Sequence, residues 1–289
     1  MPAEESGAYG DPHVPLIHEE LSKYCVSIIP IIDAEERSDG RKNADPLNAG
    51  SGTCLRIGGR FFVATAAHVI SPRPPNMHFV ATPTTEDGAL KIINGGYRGG
   101  GKYDPVDVGW LELHGRAAAQ AGRAFLDIAR VRTGCVGDEE LVVLGAPVQQ
   151  QERGKHADGT PVLKTGASWW ATRGILDARD LAEAPDPARK LFLRWPSRVE
   201  GTDGEWYEYP EPGGMSGGGV WATNVRHAQW RASNLQLVGI EYAFQRVGAP
   251  DRYLKACQIQ VWLEMLREDV PELACHIDPL LGAGDLALR

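Results

Sequence analysis

A chain of 289 residues with 43% apolar and 24% charged content has ample material for one large folded unit or two modest ones, and its composition is that of an ordinary globular protein. Its net charge of −8 argues against nucleic acid as the main partner, because that partner demands a basic face. Cationic peptides or proteins remain open as substrates.

Taken in order, residues 1–20 (MPAEESGAYGDPHVPLIHEE) are acidic and polar and are expected to form a flexible N-terminal arm. They lack the basic and apolar regions of a secretory signal. No run approaches the roughly 18 apolar residues of a membrane span, so no membrane partner is expected. The five cysteines, Cys25, Cys54, Cys135, Cys257 and Cys275, are odd in number and form no C-x-x-C pair. That pattern reads as free thiols in a reducing compartment, and the expected localisation is cytoplasmic.

Val26–Ile32 is short and β-branched and reads as a strand, with Pro30 implying an edge position or a bulge. Asp33–Gly50 is polar and turn-rich, an exposed loop. Cys54–Ile57, a Gly-Gly turn and Phe61–Ala64 read as a hairpin. Further strands are expected at 77–82, 107–113, 140–145, 162–166, 168–176, 190–195, 218–222 and 235–243. Many short strands with few helices point to barrels or sandwiches rather than βαβ units. Two helices are expected as well. Ala117–Arg130 is alanine-rich and lies mid-chain, between two halves. Ile259, Trp262, Leu263 and Leu266 follow i, i+3, i+4, i+7, which predicts an amphipathic helix over about 253–268.

The stretch from Glu211 to Trp221 (EPGGMSGGGVW) sets Ser216 among five glycines. Gly214-Met215-Ser216-Gly217-Gly218 fits the G-x-S-x-G elbow of α/β-hydrolases and also the glycine-flanked serine of a β-barrel protease. A serine hydroxyl needs a base and an acid that orients the base. His68, in Val63-Ala-Thr-Ala-Ala-His68, follows an apolar strand and is bracketed by small residues, so one imidazole is presented at the strand's end. Asp107 heads the alternating strand Asp107-Val-Gly-Trp-Leu-Glu-Leu113, where a carboxylate can accept from an imidazole Nδ1–H and fix the tautomer. The elbow reading requires acid and base after the serine, and a helix following it. Here the order is His, Asp, Ser, and Val220-Trp221-Ala222 reads as a strand.

The three segments resemble the chymotrypsin/trypsin-like serine protease family. Gly50-Ser-Gly-Thr53, Leu144-Gly-Ala-Pro147, Leu237-Val-Gly-Ile240 and the terminal helix add to a likeness that spans about 22–268. The resemblance implies an all-β fold of two antiparallel six-stranded β-barrels with a C-terminal α-helix. The first barrel would cover 21–127 with the base and acid. The second would cover 128–270 with the nucleophile, and 271–289 would be a C-terminal tail. It also implies a serine endopeptidase with a His68–Asp107–Ser216 triad and an oxyanion hole of the Gly214 and Ser216 amides.

Met215 stands where zymogen-activated members carry an aspartate, and a thioether cannot receive a new amino terminus, so activation by N-terminal cleavage is not expected. The position six before the nucleophile, which sets pocket charge in trypsin-like members, is Pro210. Glu200, Asp203, Glu205, Glu208 and Glu211 crowd the approach to Ser216 with no Lys or Arg between them, which points to substrates with basic residues near the cleaved bond. Pro210, Glu211, Glu241 and Tyr242 are the candidate pocket residues, and a regulatory protein partner is a further expectation. The alternative is a trypsin-fold binding module that is inactive or needs a partner. No cofactor or metal is expected. Gly96-Tyr-Arg-Gly-Gly-Gly101-Lys102 only approximates a P-loop, with Tyr103 in place of Ser/Thr, and reads as a loop. There is neither an HExxH motif nor paired cysteines at zinc spacing.

Overall fold

The structure, a computed structural model, describes residues 14–32, 50–71, 77–82, 91–93, 97–104, 106–134, 140–147, 151–155, 161–165, 168–173, 186, 189–195, 197–200, 205–208, 211–223, 231–247 and 251–287. The first half contributes strands β1 (Cys25–Ile32), β2 (Gly50–Ile57), β3 (Arg60–Thr65), β4 (Met77–Thr82), β5 (Lys91–Ile93), β6 (Tyr97–Lys102), β7 (Val108–Leu113) and β8 (Leu126–Asp127). The second contributes β9 (Glu140–Gly145), β10 (Gln151–Lys155), β11 (Pro161–Thr165), β12 (Ser168–Arg173), β13 (Lys190–Arg194), β14 (Arg198–Glu200), β15 (Trp206–Glu208), β16 (Gly219–Ala222), β17 (Gln236–Val247) and β18 (Asp251–Gln258). Helices are α1 (Val14–Ser22), α2 (Ala67–Ile70), α3 (Gly115–Gln120), α4 (Ile259–Asp269) and α5 (Ala274–Ala287).

The chain is mostly β, with helices at its C-terminal end. One sheet runs β5-β4-β1-β2-β3-β7-β6, with β8 added in parallel to β2, and the other runs β12-β9-β16-β17-β18-β13. All other pairings in both sheets are antiparallel. The second sheet thus has the expected six strands and the first has eight, and neither path closes on itself among the described residues. β1 pairs with β2 as far as Ile28, so among the described residues Pro30 has β4 as its one neighbouring strand, a position that tolerates a missing N–H.

Strand alternation explains how two apolar cores share one sheet. In β9, Leu141 and Val143 join a core with Leu191, Leu193, Trp195, Met215, Val220 and Leu254. Val142 and Leu144 on its other face join the larger core, with Leu55, Val63, Trp110, Trp221 and Trp262. Side chains point alternately to opposite faces, so an unbroken apolar run such as ELVVLG fits a strand buried on both sides.

α4 packs against strands of both sheets, β17 and β18 of the second and β6 and β7 of the first. Trp262 Nε1 donates to Gly109 O at 2.8 Å, and Trp110 Nε1 donates to Asp269 Oδ2 at 2.8 Å. α5 follows it, and Thr133 Oγ1 donates to Leu280 O at 2.9 Å.

Several expectations need correction. The alanine-rich segment 117–130 is not one helix: α3 ends at Gln120, and β8 and a 3-10 turn follow. The terminal helix begins at Ile259, because 253–258 belongs to β18. The segment read as a loop around Gly96–Lys102 is strand β6 over 97–102, and Gly96 lies outside the described residues. The expected arm over 1–20 overlaps α1, so 14–20 are helical, and the expected tail over 271–289 carries a 3-10 turn and α5. Residues 33–49, Cys135, and 174–176 of the strand expected at 168–176 lie outside the described residues. The other four cysteines are free thiols, with Cys25, Cys54 and Cys257 buried and Cys275 exposed. No helix among the described residues is long and apolar enough to cross a membrane.

Candidate active site

His68 sits on α2, a single turn that leaves β3 through Ala66. The small residues around it have a packing reason. Ala66 and Ala67 are buried, and a Cβ placed on Gly109 of β7 would lie 3.1 Å from Ala67 Cα, so the turn rests directly on β7. That contact brings His68 to Asp107, which immediately precedes β7. His68 Nδ1 and Asp107 Oδ2 are 2.5 Å apart, and the His68 backbone N–H donates to Asp107 Oδ1 at 3.0 Å. With a carboxylate on Nδ1, the ring's Nε2 is left as the acceptor for a proton. The His68 side chain is 47% exposed.

Ser216 lies on the turn before β16, and this turn is tied to the first half by side chains and backbone. Ser51 N donates to Ser216 O at 2.7 Å, and Ser51 Oγ donates to Gly214 O at 2.8 Å. The Ala146 N–H donates to Ser51 Oγ at 2.8 Å, and Thr65 Oγ1 donates to Ser51 O at 2.7 Å. The Gly-Ser-Gly that precedes the hairpin therefore cradles the serine turn. Gly217 has φ 97°, and a Cβ there would lie 1.8 Å from Ser51 O, so only glycine fits this approach. Met215 is fully buried in the second core and pulls the turn inward between Gly214 and Ser216.

Backbone bonds complete the turn. Met215 N donates to Pro212 O at 2.9 Å and Gly218 N to Met215 O at 2.7 Å. Gly217 N donates to Glu241 O at 2.7 Å, and Glu241 N to Gly218 O at 2.8 Å. Among the described residues no acceptor takes the N–H of Gly214 or Ser216. The Ser216 hydroxyl donates to Tyr242 O at 3.4 Å, and no hydrogen bond joins it to His68. Apo sites often hold such pairs apart until substrate binds.

Sequence alone marks Glu241 only as a pocket candidate. It is 1% exposed, and burial first, then the Asp107 charge, push its carboxyl well above the ordinary carboxylate range. β17 carries a register irregularity between Glu241 and Ala243, opposite Ala256 and Lys255 of β18. Bulges of this kind re-aim side chains beside active sites. Tyr242 is nearly buried, Glu211 is exposed, and Pro210 lies outside the described residues. Glu205 and Glu208 are exposed on and beside the β14–β15 hairpin, with Trp206 53% and Tyr207 50% exposed between them. Asp203 lies outside the described residues, as does the Glu200 side chain.

Ser51 is the residue that sequence reasoning values only as part of a Gly-Ser-Gly likeness. Its place in a strand of largely small and apolar residues is the one signal the sequence offers, since a small hydroxyl residue buried there needs partners. No protein-family model matches the chain, and no curated protein matches it.

Proposed function

We propose that this chain is a chymotrypsin-like serine endopeptidase with His68, Asp107 and Ser216 as its triad. The observation that carries the reading is the His68–Asp107 pair, closed by two hydrogen bonds, on a framework that also braces the Ser216 turn. The uncommitted amides of Gly214 and Ser216 support their assignment as the oxyanion hole. Antiparallel strand order in both sheets supports a pair of barrels, with β12 and β13 as the edges that would meet in the second.

In this mechanism His68 Nε2 takes the Ser216 proton as Oγ attacks the scissile carbonyl carbon. The carbonyl oxygen gains the charge, which the two amides receive, and each such donor is worth about 10²–10³ in rate. Collapse expels the amine, which leaves with the proton from His68. Water, deprotonated by the same imidazole, then hydrolyses the acyl-enzyme ester. Asp107 holds the tautomer and stabilises the imidazolium. Exposed Glu205, Glu208 and Glu211 ahead of the serine support substrates with Lys or Arg near the cleaved bond.

A second reading has one observation in its favour. The Ser216 hydroxyl turns to Tyr242 O rather than to His68, as it would in a trypsin-fold binding module or in an enzyme awaiting a partner. A fluorophosphonate probe separates the two. The wild type is expected to label and Ser216→Ala is not, and a peptide library is expected to show cleavage beside basic residues. Failure of the wild type to label, alone and with cell extract added, selects the binding module. Preference for acidic or large apolar residues removes the basic-substrate assignment.

A further inference from the structure

Ser51 is fully buried near the start of β2, and its polar atoms reach three separate chain segments. The direction of its hydroxyl is fixed by chemistry. The Ala146 N–H can only donate, so Ser51 Oγ accepts there at 2.8 Å, and its proton goes to Gly214 O, also at 2.8 Å. A hydroxyl held between a donor and an acceptor cannot rotate to another partner without leaving a buried group unpaired.

The Gly214 carbonyl belongs to the first of three successive peptide planes that carry the nucleophile turn. A trans peptide points its C=O and N–H in opposite directions, so a bond at each end fixes the plane. In the first plane Gly214 O meets Ser51 Oγ, and Met215 N donates to Pro212 O. In the second Met215 O accepts from Gly218 N, which leaves the Ser216 N–H pointing the other way. In the third Ser216 O accepts from Ser51 N, and Gly217 N donates to Glu241 O. Among the described residues, the Ser51 hydroxyl is the one side-chain group that bonds to any of these planes.

The plane it holds is also the one with most freedom to turn. Gly214 has φ 91°, and a Cβ on Gly213 would meet nothing within 4 Å. Two adjacent glycines offer little resistance to rotation, whereas Met215 on the far side is held by its buried side chain.

We propose that Ser51 is a positioning residue whose hydroxyl locks the Gly214–Met215 peptide plane and thereby holds the Gly214 amide, one Cα away, in place as an oxyanion donor. The role of that amide rests on the protease reading, and the lock rests on the hydrogen bonds alone. Without the hydroxyl, the Ala146 N–H and Gly214 O both lose their partner. Rotation at the glycine pair then breaks the Met215 N–H bond to Pro212 O and turns the Gly214 amide away.

Ser51→Ala tests the lock through two readouts, taken where every variant is fully folded. Hydrogen exchange of the Met215 amide is expected to speed up about tenfold or more, with Val143 and Leu254 in the core strands unchanged. Fluorophosphonate labelling is expected to slow about tenfold or more, as it does when an oxyanion donor is lost. Ser51→Thr, which keeps a hydroxyl, is expected to stay within about threefold of wild type in both. A wild-type exchange rate at Met215 in Ser51→Ala, or a folded Ser51→Thr as impaired as Ser51→Ala, overturns the lock. An equal rise at Val143 and Leu254 makes Ser51 a general stabiliser and overturns the positioning role, as does unchanged labelling on a loosened turn. Should Ser51→Ala fail to fold, Ser51→Cys takes its place, since a thiol fills the site but donates weakly. A wild type that does not label contradicts the protease reading, while the exchange rates still decide the lock.

Discussion

Met215 anchors the Ser216 turn in the second apolar core. It is fully buried in the core with Leu141, Val143, Trp195 and Val220, and a Cβ on Gly145 would lie 3.0 Å from its own Cβ. An apolar anchor at this point braces the turn without any charge. Met215→Leu preserves volume and is expected to keep labelling near the wild-type rate. Met215→Ala removes buried methylenes, is expected to cost about 2–5 kcal/mol in urea unfolding, and should slow labelling about tenfold or more. A Met215→Ala protein that labels normally would show that the turn holds its amides by backbone bonds alone. Ser216 and its partners are legible from sequence because each sits in a short motif whose residue types are dictated locally. The Ser51 bridge is not legible, since it joins chain segments more than 100 residues apart.

At the scale of elements, β3, β6 and β7 are bound by one carboxylate. Glu112 is 5% exposed, and Arg60 Nε donates to Oε1 and Arg98 Nε to Oε2, each at 2.5 Å. Burial pushes this carboxyl up, but the two guanidinium hydrogen bonds outweigh it and hold it below the ordinary value of 4.5. A depressed folded pKa contributes stability that is present above the unfolded pKa and is lost as pH falls through the folded one. Glu112→Gln is therefore expected to cost about 2 kcal/mol at pH 7, with the half-exposed Arg98 adding little, and to flatten the loss of stability below about pH 4. Urea denaturation at pH 7 and pH 3 measures both, and equal acid sensitivity in the two proteins would contradict it. Element boundaries fail in the sequence for identifiable reasons. Alanine content favours a helix through Arg130, yet Gly122 at φ 61° sits just past Ala121 and ends it in the left-handed conformation typical of a C-terminal stop. Tyr253, Leu254, Ala256 and Cys257 are buried on both faces of β18, and such a run cannot be told from a helix by periodicity. β6 is hidden by its glycines, which leave room for Trp110 beside Gly100 and for Ala67 beside Gly101.

At the scale of the whole molecule, the larger apolar core joins both halves, and α4 is its closing piece. Trp262, Leu263 and Leu266 are fully buried, and the Trp262 indole reaches across to Gly109 on the strand behind Asp107. Trp262→Ala is expected to cost about 3–5 kcal/mol. It is also expected to uncouple the halves, so that urea transitions followed by tryptophan fluorescence and by far-UV circular dichroism coincide in the wild type and separate in the variant. Coincident transitions in both would mean that the sheets are coupled without α4. A β-rich chain with a terminal helix is readable from strand spacing, turn residues and the i, i+3, i+4, i+7 pattern, whereas the expectation of two units comes from the family resemblance. The eight-strand count of the first sheet is not readable, because β5 and β8 are two or three residues long and carry too little pattern.

The Ser51 bridge has a consequence for the life of the chain on its way to the folded state. One hydroxyl joins Gly214 O to the Ala146 N–H, and Ser51 N holds Ser216 O, so the nucleophile turn is completed by a residue synthesised long before it. A nascent first half carries His68 and Asp107 without Ser216, and an isolated second half carries Ser216 on a turn that lacks its brace. On the proposed protease reading, hydrolytic competence would be the last property the molecule acquires, and a half-made or half-unfolded copy would be chemically silent toward the proteins around it.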